Sequence, residues 1–413
     1  MTAPHLLLFD DASARAWAPV TLTRPAGELR FGCMTLRERA ERALAVTCMG
    51  HLTHEGLRGF DEADAPSTLD GAAADATPGE RILLSSRCAL ELEQPPLPNG
   101  PARLVVQGRT AGWILAEGAP LPLEAWRLDT DAASTTEAPT VELRGELLSA
   151  PWELVRRNPD RVARDIEHLW TNTGTPEGVH RIGQGTLSLG AGAIVEPGVV
   201  VDLRGGPVRL DDGVRAEGPA RLVGPLHIAS GSIVFGGQVG TSSIGPVCKL
   251  RGEIADCVLL GYTNKAHDGY LGHALVGRWV NLGALTTNSD LKNNYGPVTV
   301  WTPDGPVDTG LLKVGCFLGD HVRTGIGTVF NTGTVVGTGS NVFGGVMPPK
   351  FVPPFSWGSG SDLTDYRLDK FIEGAARAMA RRDVELTPGA RTMFERAWND
   401  TAEARLVVRR DGR

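Results

Sequence analysis

Residues 264–272 read NKAHDGYLG, and residues 280–288 read VNLGALTTN. The residue types in this stretch suit acyl transfer from a thioester to an amine or a hydroxyl. Such a reaction needs a base that titrates near neutrality, and His267 supplies an imidazole. It needs donors for a developing oxyanion, which Gly-rich turns offer through backbone N–H groups. It also needs a cation wherever the substrate carries phosphate, and Lys249 or Arg251 in CKLRGE meets that requirement.

These residues can cooperate only if the backbone stacks them, so the elements that carry them come next. From about residue 181 an aliphatic side chain recurs at every sixth position: Leu189, Val195 and Val201, then in a shifted phase Leu210, Ala216, Leu222, Ile228 and Val234. The step returns at Val276 and Leu282 and again at Leu318, Thr324, Phe330, Val336 and Val342. This is the hexapeptide signature of a parallel β-helix, in which three hexads make one triangular coil. A coil of about eighteen residues predicts Lys249 beneath His267, with Asn281 and Ala284 on the coil above. Asn294 and Tyr295 fall in the irregular stretch 288–313, expected as an insertion looping out beside that coil.

The flanking regions differ in texture. Residues 1–150 alternate short apolar runs such as LLLF and RILL with the segment TLRERAERALAV, which predicts a helix on an α/β layer. Residues 151–180 predict a linker helix with Leu154, Ile166 and Leu169 on one stripe. The β-helix is expected over 181–358. A helical cap over 359–413 is expected to cover its open end, where unpaired strand edges would invite association.

Composition narrows the function classes. The net charge of −7 argues against a nucleic-acid or anionic-membrane partner. No apolar run approaches the roughly 20 residues of a membrane span, and HLLLF is too short for a signal core, so a cytoplasmic protein is expected. The six cysteines show neither CxxC pairing nor zinc-like spacing, so structural thiols and no metal site are expected. His267 and His273 sit six apart and therefore on different prism faces.

The run NKAHDGYLGHALVGRWVNLGALTTN…NNYG is similar to the acetyltransferase half of the GlmU family, bifunctional UDP-N-acetylglucosamine pyrophosphorylases and glucosamine-1-phosphate acetyltransferases. That family carries K-A-G-H-L-T-Y-L-G, then V-N-I-G-A-G-T, then an N-Y-D-G turn, and the spacing from His267 to Ala284 is kept without a gap. The resemblance implies His267 as catalytic base and Tyr270, Asn281, Asn294 and Tyr295 as sugar-phosphate contacts. It implies Ala284 at the acyl carbonyl and acetyl-CoA as donor. It further implies a left-handed β-helix and a homotrimer with sites between subunits. Lys249 and Arg251 stand against the family's phosphate-binding cations.

The N-terminal segment PVTLTRP resembles the P-L-T-x-x-x-P segment of sugar-1-phosphate nucleotidyltransferases, which implies a divergent Rossmann-like domain. Glycines are missing where the phosphate loop should be, and Ala26 stands where a Lys is usual. Arg15, Arg24 and Arg30 are the residues that could hold a nucleotide there, with Mg2+ as the metal such transfer uses. Sugar phosphates and nucleotides are thus the expected small-molecule partners. The alternative is a non-catalytic β-helix trimer serving as scaffold or sugar-nucleotide sensor.

Overall fold

The computed structural model describes residues 4–122 and 139–411, with side chains through residue 406. The last two residues of the expected C-terminal cap lie outside that range.

The apolar run at the start becomes the central strand His5–Phe9 of a seven-stranded sheet. It lies parallel between Cys48–Leu52 and Arg81–Ser85, with Leu6, Leu7, Leu8 and Phe9 all buried. That double-sided burial is why the run is continuous rather than alternating. TLRERAERALAV folds as the helix Leu36–Leu44, opened by a reciprocal capping box between Thr35 and Glu38.

The linker is two helices, Pro151–Arg156 and Asn158–Leu169, where the stripe predicts one. Pro159 has no N–H to continue the first helix, so the chain restarts there. Leu154 and Ile166 are buried as the stripe requires, while Leu169 is only partly covered.

From His180 onward the chain winds as a left-handed parallel β-solenoid with three strand faces. One face holds six strands from His180–Ile182 to Tyr270–Gly272, and another nine from Leu187–Leu189 to Phe351–Val352. The third runs from Ile194–Val195 to Asn264–Lys265 and, after an isolated bridge at Asn281, resumes at Arg323–Thr324. The hexad residues from Val195 to Val342 fill the prism, with Thr324 bonded inside it to the Thr286 hydroxyl at 2.7 Å. Between 236 and 272 the core residues Val239, Ile244, Leu250, Ile254, Leu259 and Leu271 leave the six-residue step. The coils there are shorter than eighteen residues, which hides them from a periodic count.

The nine-stranded face is not free. Its outward side chains Val258, Leu275, Phe317 and Val335 share one core with Trp17, Leu29, Phe31, Leu154 and Val155. Alternation explains this: Leu259, Val276, Leu318 and Val336, one residue on, fill the prism instead.

The C-terminal region differs from a plain end cap. Ladder termination falls to the antiparallel strand Asp362–Asp365, which folds back on Ser356–Ser359. Three helices follow: Leu368–Ala380, Pro388–Asp400 and Ala402–Asp411. The first two pack Phe371, Ile372, Met393 and Phe394 against Phe355 of the last coil and against Leu57 and Phe60 of the N-terminal domain. Their apolar stripes therefore join solenoid to front domain.

Candidate functional site

His267 stands at the corner between the third face and the six-stranded face, on a short detour of the chain. Leu250 pairs with Lys265, and Glu253 pairs with Tyr270, so two extra residues are accommodated in the corner 266–269. They bulge outward, which leaves the His267 side chain exposed. The corner is tied from within by Lys265. Its side chain occupies the prism interior, in the position Leu250 holds one coil below, and its ammonium donates to the carbonyls of Arg251 (3.1 Å) and His267. Burial pushes that ammonium down to about 8.

The coil above carries Ala284. Asn264 bridges Asn281, and the Leu285 N–H donates to the Asp268 carbonyl at 2.9 Å, so Ala284 stacks over His267. Among the described residues no acceptor pairs with the Ala284 N–H, whereas the neighbouring Gly283 N–H is taken by Thr324 Oγ1 at 2.9 Å. An exposed imidazole and an uncommitted N–H on adjacent coils are what proton transfer and oxyanion stabilisation require.

Lys249 is not beneath His267. It pairs with Asn264, fifteen residues on, because this coil is short. Arg251 is nearer the corner, and its Nε donates to Asp268 at 3.1 Å. Below Tyr270 on the six-stranded face stand Glu253, then Gln238, then Arg221, and that arginine is paired with Asp202. Asn281 faces a different cleft, shared with Asn264, Arg323, Arg381 and Arg382.

Tyr270 turns toward the next corner. Its hydroxyl donates to Asp290 Oδ2 at 2.8 Å, and His273 Nδ1 meets the same oxygen at 2.7 Å. Burial works against ionisation of Asp290, but those two hydrogen bonds hold its carboxyl below the usual range. Burial and the Asp290 acceptor push the Tyr270 phenol up. Asp256 completes this cluster, 3.8 Å from His273 Nε2. Tyr295 lines an adjoining cleft beside His273 with Trp152 and Lys313, and Asn294 accepts from the Gly296 N–H at 3.1 Å. The insertion thus brings Tyr295 to the cleft beside His273. Sequence reasoning missed Asp256 and Asp290 because their stacking depends on corners of irregular length.

In the front domain Asp11 stands where a phosphate loop would open. It accepts from the Ala14 N–H at 2.9 Å, capping the turn Ala12–Arg15, and pairs with Arg87 at 2.7 Å. Burial pushes the Asp10 carboxyl up to about 6. Arg15 donates to the Asp10 carbonyl at 2.7 Å. Arg24 is buried between Glu62 (2.6 Å) and Asp320 (3.1 Å), the latter on the solenoid. Arg30 donates to Ser243 Oγ at 2.8 Å and meets His227 Nδ1 at 2.7 Å. His227 must accept there, so its Nε2–H donates to Asp211 at 2.8 Å. Arg24 and Arg30 are thereby committed to contacts between domains.

Among the described residues no group of three or more His, Cys, Asp or Glu side chains could hold a metal. All six cysteines are free and buried, and no described helix is long and apolar enough to cross a membrane.

Residues 6–173 match the family model for sugar nucleotidyl transferases. Similar curated proteins include the bifunctional sugar-1-phosphate nucleotidylyltransferase/acetyltransferase of Sulfurisphaera tokodaii, 28% identical over 23% of this chain and 24% of that one. The bifunctional protein GlmU of Acaryochloris marina is 34% identical over 27% of this chain and 28% of its own. GlmU of Methanococcus maripaludis strain C7 is 33% identical over 21% of each. These matches span about a quarter of the relatives' length. The chain is thus similar, over parts of its length, to nucleotidyltransferase/acyltransferases of the GlmU-like kind, with no specific match to GlmU itself, and these likenesses associate it with transferases of sugar-nucleotide and acyl-transfer chemistry.

Proposed function

We propose that this chain is a CoA-dependent acyltransferase acting on an amino sugar or sugar phosphate, with His267 as general base. The observation that carries the reading is the pairing of an exposed His267 with the Ala284 N–H one coil above it. The acceptor amine or hydroxyl attacks the thioester carbonyl while His267 takes its proton, and the carbonyl oxygen becomes the anion that the Ala284 N–H accommodates. Collapse of the tetrahedral intermediate breaks the C–S bond, and the imidazolium returns the proton to the thiolate. Acetyl-CoA is the proposed donor, and the relatives named as acetyltransferases support it. In this reading the protein is a cytoplasmic homotrimer whose sites are completed between subunits.

The test is thiol release from acetyl-CoA across a panel of amino sugars and their 1-phosphates. His267→Ala is expected to lose about 100-fold or more in kcat while keeping the wild-type melting temperature, because the side chain is exposed. Wild-type turnover no faster than the variant's defeats the proposal.

A second reading rests on the family match over residues 6–173: nucleotidyl transfer in the front domain. The residues there fit a metal-bound nucleotide poorly, since Asp11 is held by Arg87 and Asp10 is buried and pushed up to about 6. Pyrophosphate release from a nucleoside triphosphate and a sugar 1-phosphate, dependent on Mg2+, would establish it. Ligand binding without turnover in both assays would favour a sensor or scaffold.

A further inference from the structure

The helix Leu368–Ala380 lies across the third face of the solenoid, and the cleft between them is strongly cationic. Arg323, Arg377, Arg381 and Arg382 line it together with Asn264 and Asn281, and none of its lining residues is a carboxylate. Two of these guanidiniums are held by neutral acceptors only: Arg323 by the Gly374 carbonyl at 2.7 Å and Arg382 by Asn264 Oδ1 at 2.8 Å. Arg377 pairs outward with Glu373 at 2.5 Å. Among the described residues Arg381 and Lys249 pair with no acid. Lys249 stands one coil below Asn264, and burial and the nearby charges of Arg382 and Arg381 push its ammonium down.

Bringing like charges together costs free energy, and a fold that neutralised them internally would place Asp or Glu among them. Elsewhere this chain does so: Arg24, Arg87 and Arg39 each meet a buried carboxylate. The cleft instead leaves Arg323, Arg381 and Arg382 for an anion that comes from outside, with Lys249 one coil below Asn264. Guanidinium forks suit the oxygens of phosphate, and several together suit a pyrophosphate better than a single carboxylate. The Asn281 amide sits among them and can donate as well. The column beneath Tyr270, by contrast, carries Glu253, Gln238 and an Arg221 already paired with Asp202, so its one cation is neutralised within the fold.

We infer that this cleft binds the phosphoryl or pyrophosphoryl end of a substrate, with Arg381 and Arg382 supplied from the C-terminal end of the helix Leu368–Ala380. The inference rests on the acyltransfer reading only in calling the ligand a substrate of that reaction. Two sources share the chemistry, the phosphates of CoA and the phosphate of a sugar 1-phosphate, and competition separates them.

The experiment is calorimetric titration of the full chain with inorganic pyrophosphate, then with CoA and glucosamine 1-phosphate as competitors. Arg381→Glu with Arg382→Glu is expected to weaken pyrophosphate binding by about tenfold or more, with an unchanged melting temperature. Arg367→Glu, at the exposed start of the same helix, carries the same sign of charge change and is expected to leave binding close to wild type. His267→Ala is expected to bind pyrophosphate like wild type, so loss of acyl transfer and loss of this site are read separately. Displacement by CoA assigns the cleft to the donor, and displacement by the sugar phosphate to the acceptor. A wild type that does not bind pyrophosphate, an equal loss in Arg367→Glu, or displacement by neither competitor overturns the inference.

Discussion

Single side chains decide how the His267 corner is held. Lys265 is buried in the prism yet satisfied by two carbonyls, so its removal loosens the corner without leaving an unpaired charge. Lys265→Met keeps the volume and removes the desolvated ammonium; its effect on stability is expected to stay within about 1 kcal/mol. The tie to the His267 carbonyl is lost, so kcat is expected to fall by about 10–100-fold, read in the same thiol-release assay. Asp10 makes a prediction of the opposite kind. Its folded value near 6 lies above the unfolded 3.8, so the folded state favours the protonated carboxyl. Its stabilising contribution is complete below about pH 4 and falls away as the pH rises through 6, by about 3 kcal/mol. Asp10→Asn is therefore expected to flatten the urea-measured stability profile between those values.

At the scale of elements, the loop after the first strand is pinned to the solenoid. Arg24 reaches both Glu62 and Asp320, and Thr23 Oγ1 donates to Asp320 at 2.9 Å. Burial opposes ionisation of Asp320, and Arg24 is the strongest influence holding its carboxyl low. Removing one partner of a buried pair strands the other, so Arg24→Met is expected to cost about 3–5 kcal/mol in urea unfolding. Much of this scale was legible beforehand. The helix Leu36–Leu44 followed from its cap and amphipathic pattern, and the hexads placed the inward residues of most coils. The coils around 236–272 were not, since the inward residues Val239, Ile244, Leu250 and Ile254 are unevenly spaced and carry no period. That irregularity moved Lys249 from beneath His267 to beneath Asn264.

The whole molecule is organised by shared cores. Front-domain residues Trp17, Leu29 and Phe31 pack with solenoid residues Val258, Leu275 and Phe317, and the C-terminal helices join Phe60 to Phe355. Neither part covers its apolar surface alone, so calorimetry of the full chain is expected to show one unfolding transition. Two well-separated transitions would show the parts to be independent. The end of the helix Leu368–Ala380 also brings Arg381 and Arg382 to Asn264 and Asn281, residues far away in sequence.

Sequence alone determined the β-helix, the order of the parts and the prominence of His267, because six-residue periodicity and local motif spacing act over short stretches of chain. Tertiary structure alone decided which residues meet that histidine. It set Lys265 behind the corner, placed Ala284 over it, and turned Tyr270 away to Asp290 and His273. It also committed Arg24 and Arg30 to the solenoid and drew the C-terminal arginines to the third face. The physical reason is that coil length varies at the corners. Each extra or missing residue shifts the stack by one place, and packing between distant segments then settles the register.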